Sequence, residues 1–225
     1  MLTNAQILGK DESQLVELDN GFLLLPKVAN AFEAMQLAAK KDKVDIQIAS
    51  SYRSFERQNF IWGNKWLGKT QLRDANETPL DATQLDDWEK AQTILTWSAL
   101  PGASRHHWGT DLDVYDKTKI EASGAALELI CSEYDENGPC YELNKWLGSY
   151  AADFGFIRPY STFKGGIARE PWHLSYEKLS TSIITQLTPQ TLLTALTDSD
   201  VLGIQCITEN MPEIYSRFVL NRGKL

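Results

Sequence analysis

Residues 104–115 read S-R-H-H-W-G-T-D-L-D-V-Y, and the second half of that run sets the fold class. In Asp111-Leu112-Asp113-Val114-Tyr115 polar and apolar residues alternate, the period-2 pattern of a half-buried strand. Val44-Asp45-Ile46-Gln47-Ile48-Ala49 repeats the pattern, and Trp172-His173-Leu174-Ser175-Tyr176 is strand-like. Helical spacing separates these segments. Residues 28–42 place Phe32, Met35 and Ala39 on one face. Ser54 caps a helix over 55–67 that buries Ile61 with Trp62 or Trp66. Thr83 and Asp86 resemble a capping box before a helix carrying Leu85, Trp88, Ala91 and Leu95. Leu143, Trp146, Leu147, Tyr150, Ala151 and Phe154 form an apolar stripe that Gly155 ends. Without a regular βαβ alternation, these elements predict an α+β fold with an antiparallel sheet.

Beyond this frame, residues 68–82 are polar and read as a loop, and Asn137-Gly138 can turn a hairpin. Thr188-Pro189 opens a helical C-terminal stretch without catalytic signals. The 225 residues suit one domain, with a core over about 28–180 and a helical extension over about 181–225. Nothing in the sequence sets an oligomeric state.

A formal net charge of −8 speaks against a nucleic-acid binder, which carries a basic face. It equally disfavours adhesion to an anionic wall or membrane surface, so a small dissolved substrate fits better. No run reaches the roughly 18 apolar residues of a membrane span. The N-terminus MLTNAQILGKDESQ lacks the basic start and apolar run of a signal peptide. The expectation is a cytoplasmic protein, or a periplasmic one if a leader was removed. Cys131, Cys140 and Cys206 are expected as free thiols.

The chain has three histidines, His106, His107 and His173, all beside acidic residues. A catalytic zinc takes about three protein ligands, commonly imidazole and carboxylate, and keeps a position for water. Asp111 and Asp113, two apart on one strand, point to one face, and His173 lies on a strand able to pair alongside. Spacing alone leaves open Asp111 or Asp113, and His106 or His107.

The pattern S-x-H-x-x-G-x-x-x-D (Ser104, His106, Gly109, Asp113), followed by E-x-W-H (Glu170, Trp172, His173), resembles the VanY-like D-alanyl-D-alanine carboxypeptidases. These belong to the zinc peptidase group that also holds lysostaphin-type peptidases and the hedgehog signalling domain. Upstream, Ser50, Tyr52, Arg53, Ser54 and Gln58 match a third block of that family, in the same order. The resemblance spans roughly residues 44–176 and implies a small antiparallel sheet carrying zinc, flanked by helices. It implies that His106, Asp113 and His173 bind zinc and that Glu170 is the general base. Arg53 is implied to stabilise developing negative charge or the terminal carboxylate. Ser104, Gln58 and Tyr52 are implied substrate contacts. One departure stands out: the family has Ala where this chain has Asp111. That carboxylate either hydrogen-bonds a ligand histidine or is a solvated strand residue, and His107 reads as a neighbour of the ligand rather than a ligand.

The activity so implied is release of C-terminal D-alanine from peptidoglycan stem peptides or muropeptides, leaning to the L,D reaction on tetrapeptides. D,D-carboxypeptidase and D-Ala-D-Ala dipeptidase are the alternatives. Less favoured are an endolysin-type endopeptidase, and a zinc-bearing binding module that would need neither Glu170 nor Arg53.

Overall fold

The structure is a computed structural model that describes residues 1–223. Its centre is a four-stranded antiparallel sheet of β1 (Ile46–Ser50), β2 (Asp111–Asp116), β3 (Phe156–Ile157) and β4 (His173–Tyr176), in the spatial order β1-β2-β4-β3. The α+β class with helices around a small antiparallel sheet is therefore correct. Register decides what each face carries, because side chains alternate along a strand. Across β2 and β4, Leu112 lies opposite Leu174, while Asp113 faces His173 and Asp111 faces Ser175.

The apolar face buries Ile46, Ile48, Leu112, Val114 and Leu174 against α1 (Pro26–Lys41). That helix contributes Phe32, Met35 and Ala39, each no more than 1% exposed. The helix Tyr141–Tyr150 closes the same core with Leu143, Trp146 and Leu147. Each such large apolar side chain is worth roughly 1.5–3 kcal/mol of burial, so this face anchors the sheet. The opposite, polar face carries the acidic and histidine side chains.

A second core joins α2 (Phe55–Trp66) and α3 (Asp87–Trp97) to the C-terminal helices. Within α2 the core residue is Trp62, fully buried with its indole N–H donating to Leu202 O at 2.9 Å; Ile61 is only half-buried. The helical C-terminal stretch begins as predicted, with Thr188 accepting from Thr191 N ahead of Pro189. Arg217 Nη1 donates to Gln92 Oε1 at 2.6 Å and ties that stretch to α3.

Several local expectations need correction. The capping box before α3 is formed by Asp86 and Glu89, while Thr83 belongs to a 3-10 turn capped by Asp81. Residues 68–82 are not all loop: Leu72–Arg73 pairs with Pro79–Leu80 in a short hairpin. Asn137-Gly138 turns no hairpin, because a short helix, Cys131–Tyr134, precedes it and the helix from Tyr141 follows. Tyr150, counted in the apolar stripe, is 46% exposed. The three cysteines are free thiols. No helix among the described residues is long and apolar enough to cross a membrane.

Candidate metal centre

Three local devices bring the histidines and aspartates together. Direct cross-strand pairing of Asp113 with His173 sets their side chains about 5 Å apart at Cβ. A 3-10 turn, Arg105–Trp108, follows Ser104 and delivers His106 beside them. Gly109 ends that turn at φ 67°, where a Cβ would collide with Leu15, so glycine is required for conformation and space together. Glu170 is fixed by its N–H to Tyr160 O (2.9 Å) and by the turn in which His173 N donates to Glu170 O (3.2 Å).

The nitrogen and oxygen atoms of His106, Asp113 and His173 converge, all within 4.8 Å of one another. His106 Nδ1 lies 2.8 Å from Ser51 O, so it carries the proton and leaves Nε2 as a lone pair, 3.4 Å from Asp113 Oδ2. His173 Nε2 lies 3.0 Å from Asp111 Oδ1 and donates to it, and its Nδ1 lies 3.2 Å from Asp113 Oδ1. Asp113 Oδ1 is buried and has no hydrogen-bond partner apart from that imidazole. A buried imidazole nitrogen and a carboxylate oxygen this close need a cation between them, a proton in the metal-free protein or a metal ion in its place. Bonds of about 2.0–2.1 Å to a tetrahedral zinc give ligand–ligand edges of roughly 3.3 Å, close to the two histidine–Asp113 separations of 3.4 and 3.2 Å. The donor set fits a divalent metal.

Electrostatics say the same. Burial alone would raise the pKa of Asp113, but His106 and His173 outweigh it and hold the carboxyl well below its usual range. Burial would likewise depress His173, but the carboxylates of Asp111, Asp113 and Glu170 hold it well above the ordinary imidazole value. A crowd of anions that retains a proton in the metal-free protein also favours a divalent cation. Glu170, with Oε2 at 3.4 Å from His173 Nδ1, is pushed up by burial.

The structure separates the residues that spacing left ambiguous. Asp111 is fully buried, so it is no solvated strand residue; besides His173 it accepts from Arg105 Nε at 2.8 Å and from Thr110 Oγ1. His107 turns away from the cluster. Its Nε2 accepts from Gly102 N at 2.9 Å and its Nδ1 lies 2.6 Å from Arg53 O. Burial pushes its pKa down to about 3, so it is a neutral structural group.

A cleft of about 390 Å³ opens onto the cluster, a volume suited to a small ligand. Arg53, Ser104, His106, Asp113, Glu170 and His173 all border it. Arg53 Nη2 stands 4.0 Å from Asp113 Oδ2. Gln58 and Tyr52 are not among the residues that border the cleft. Gln58 is fully buried, accepts from Arg53 Nη1 (3.1 Å) and donates to Ala99 O (2.8 Å); Tyr52 donates to Gly9 O (3.2 Å). Lys65 and Tyr160 also line the cleft and were not singled out in the sequence. Tyr160 packs edge-on to His173 with ring centroids 4.8 Å apart. The only advance signal was for Lys65, seven residues after Gln58 and so on the same helical face.

A small antiparallel sheet presenting a carboxylate-flanked His–Asp–His cluster to a peptide-sized cleft defines the class, an α+β hydrolase with a candidate metal centre. Residues 22–179 match the family described as VanY: D-alanyl-D-alanine carboxypeptidase. An uncharacterized protein of Haemophilus influenzae is 42% identical over 103 residues, covering 44% of this chain and 70% of its own. Among solved structures, one is the vancomycin-resistance D,D-pentapeptidase VanY from a VanB-type cassette, a glutamate-to-alanine mutant in complex with Zn(II). It is 25% identical with a TM-score of 0.52, covering 75% of this chain and 82% of that one. The LdcB LD-carboxypeptidase is also 25% identical at a TM-score of 0.52, covering 78% and 75%. The chain belongs to the VanY D-alanyl-D-alanine carboxypeptidase family of peptidoglycan-directed enzymes.

Proposed function

We propose that this protein is a zinc carboxypeptidase that releases C-terminal D-alanine from peptidoglycan stem peptides. The observation that carries the reading is the buried convergence of Asp113, His173 Nδ1 and His106 Nε2, with Glu170 at the rim. His106, Asp113 and His173 would hold the ion. When bound, zinc supplies Lewis-acid polarisation of the scissile carbonyl and lowers the pKa of an attacking water.

The chain's own residues do the rest. Glu170 takes a proton as the water oxygen adds to the carbonyl carbon, then passes it to the departing amine as the C–N bond breaks. Burial pushes its pKa above the ordinary carboxyl value. Arg53 faces the oxygen on which negative charge accumulates, and Gln58 holds the guanidinium in place. Ser104 borders the cleft as a further contact for the peptide. Among stem peptides we favour the tetrapeptide, hence the L,D reaction: a net charge of −8 suits small dissolved peptides better than an anionic polymer, and recycled muropeptides, a pool of that kind, contain tetrapeptides.

The test is D-alanine release by the zinc-loaded protein from tetrapeptide, pentapeptide and free D-Ala-D-Ala, with Glu170→Ala as control. Release from the tetrapeptide alone supports the L,D assignment. Release from the pentapeptide or the dipeptide alone moves the activity to the D,D side. No release from any of them with zinc bound refutes the carboxypeptidase reading.

A further inference from the structure

Four cationic side chains other than histidine border the cleft: Arg53, Lys65, Arg73 and Arg105. Three have carboxylate partners. Arg105 Nε meets Asp111 at 2.8 Å, Arg53 stands 4.0 Å from Asp113, and Arg73 stands 4.0 Å from Glu128 at the outer rim. Lys65 is different. Its Nζ donates to Ser98 Oγ at 2.7 Å, and no carboxylate lies within 4.0 Å of it among the described residues.

An ammonium group has three donors, and only one is used here. Lys65 stands in the last turn of α2, where lysines ordinarily extend into solvent. This one lies along the cleft wall, two helical turns from Gln58 on the face that carries Arg53's support. Ser98, which follows the last residue of α3, meets it from the other side. Burial presses the lysine's pKa down to about 8, while Glu170 and Arg53 act on it through space with opposite signs. A half-buried cation with no carboxylate in contact is costly unless an anion arrives to complete it.

We infer that Lys65 and the Ser98 hydroxyl form the subsite for the free C-terminal carboxylate of the peptide, leaving Arg53 to the scissile carbonyl. The inference rests on the carboxypeptidase reading and deepens it. Arg53, next to Asp113 and braced by Gln58, stays with the reacting bond. Lys65, the cation still lacking an anion, selects peptides that end at the leaving residue. The division makes the enzyme an exopeptidase, because a continuing chain offers an amide where the subsite expects a charge.

The experiment measures binding by calorimetry to zinc-loaded Glu170→Ala protein, with Lys65 intact or changed to Met. D-Ala-D-Ala and N-acetyl-L-Lys-D-Ala are each used as the free acid and as the C-terminal amide. With Lys65 present the acids should bind roughly 10- to 100-fold more tightly than the amides, the worth of a charge-assisted hydrogen bond. Lys65→Met should remove that preference by weakening the acids alone. Lys65→Arg should retain part of it, and Ser98→Ala should reduce it several-fold. Acids and amides weakening together, or no acid preference in the Lys65-bearing protein, would overturn the inference. Release of D-alanine is measured separately with Glu170 intact. A Lys65-dependent acid preference without release would sink the carboxypeptidase reading and keep the subsite. Release with the same acid–amide preference in Lys65→Met would do the reverse.

Discussion

Asp111 offers the sharpest test of how the candidate metal centre is built. Its Oδ1 receives both His173 Nε2 at 3.0 Å and Arg105 Nε at 2.8 Å, and the carboxylate has no exposed surface. Changing Asp111→Ala removes the acceptor that fixes the His173 tautomer and leaves Arg105 without its anion. Loss of the partner that orients a ligand histidine lowers metal affinity by about 10- to 100-fold. Removing one member of a buried ion pair costs about 3–5 kcal/mol. The Arg105 side chain retains 14% exposure, so water can partly resolvate it and the lower end, about 3 kcal/mol, applies. For a chain of this size that is a fall of roughly 6–12 °C in Tm. Asp111→Asn keeps one neutral acceptor oxygen and should lie between wild type and Ala on both scales. Zinc affinity is read by competition with a chelator, and stability by thermal unfolding of the metal-free protein. If Asp111→Ala lowered Tm as stated but left zinc affinity within about 2-fold of wild type, the carboxylate would serve Arg105 alone. The argument that it orients His173 would then fail.

Further outcomes follow from the same geometry. Glu170→Ala should retain zinc and an unchanged unfolding profile while kcat for D-alanine release falls by about 10²- to 10⁴-fold; a variant within 10-fold of wild type would remove Glu170 from proton transfer. His107→Ala should cost about 2–4 kcal/mol through a cavity and two lost hydrogen bonds, yet leave zinc stoichiometry at one, which distinguishes a structural imidazole from a ligand. Zinc affinity should fall as pH is lowered, because His173, held well above its ordinary value, must lose its proton before Nδ1 can bind metal. Affinity independent of pH between about 6 and 8 would contradict that. For the metal-free fold the sign for Asp111 and Asp113 is the opposite of a raised histidine's. Their carboxyls sit well below the ordinary value of 3.8, so the stability they contribute is present above that pH and is lost as pH falls below it. Acid unfolding should start near there, and Asp111→Asn should make it less steep.

Much of this was legible before any coordinates. Alternation in Asp111–Tyr115 and around Ile46 named two of the central strands, since burial on a sheet repeats every second residue. Periodicity placed the principal helices, and Ser54 caps the start of one. The stripe expected to end at Gly155 is instead an α-helix to Tyr150 followed by a 3-10 turn, Ala151–Phe154, which Gly155 closes. Scarce histidines among acids marked the neighbourhood of the centre, and the spaced motifs named its family. Residues 72–80 and 137–138 were misread because such short pairings and turns depend on what packs over them rather than on their own pattern. The ambiguity between neighbours was of another kind. Whether His106 or His107 faces the cluster depends on which carbonyl meets each ring, Ser51 O or Arg53 O. Those carbonyls belong to a segment about fifty residues away. Asp113 rather than Asp111 faces His173 Nδ1 because its register partner is His173, whereas Asp111 lies opposite Ser175 and reaches the other side of the same ring. Lys65 shows the limit most clearly. Along the chain it is one of several lysines near a helix end, and only the approach of Ser98 and the absence of a facing carboxylate single it out. Local propensities and motif spacing therefore determined the fold class, the principal elements and the family. The tautomers, the set of side chains that converge on the cluster and the cation with no carboxylate in contact arise from contacts between distant segments, which only the tertiary structure decides.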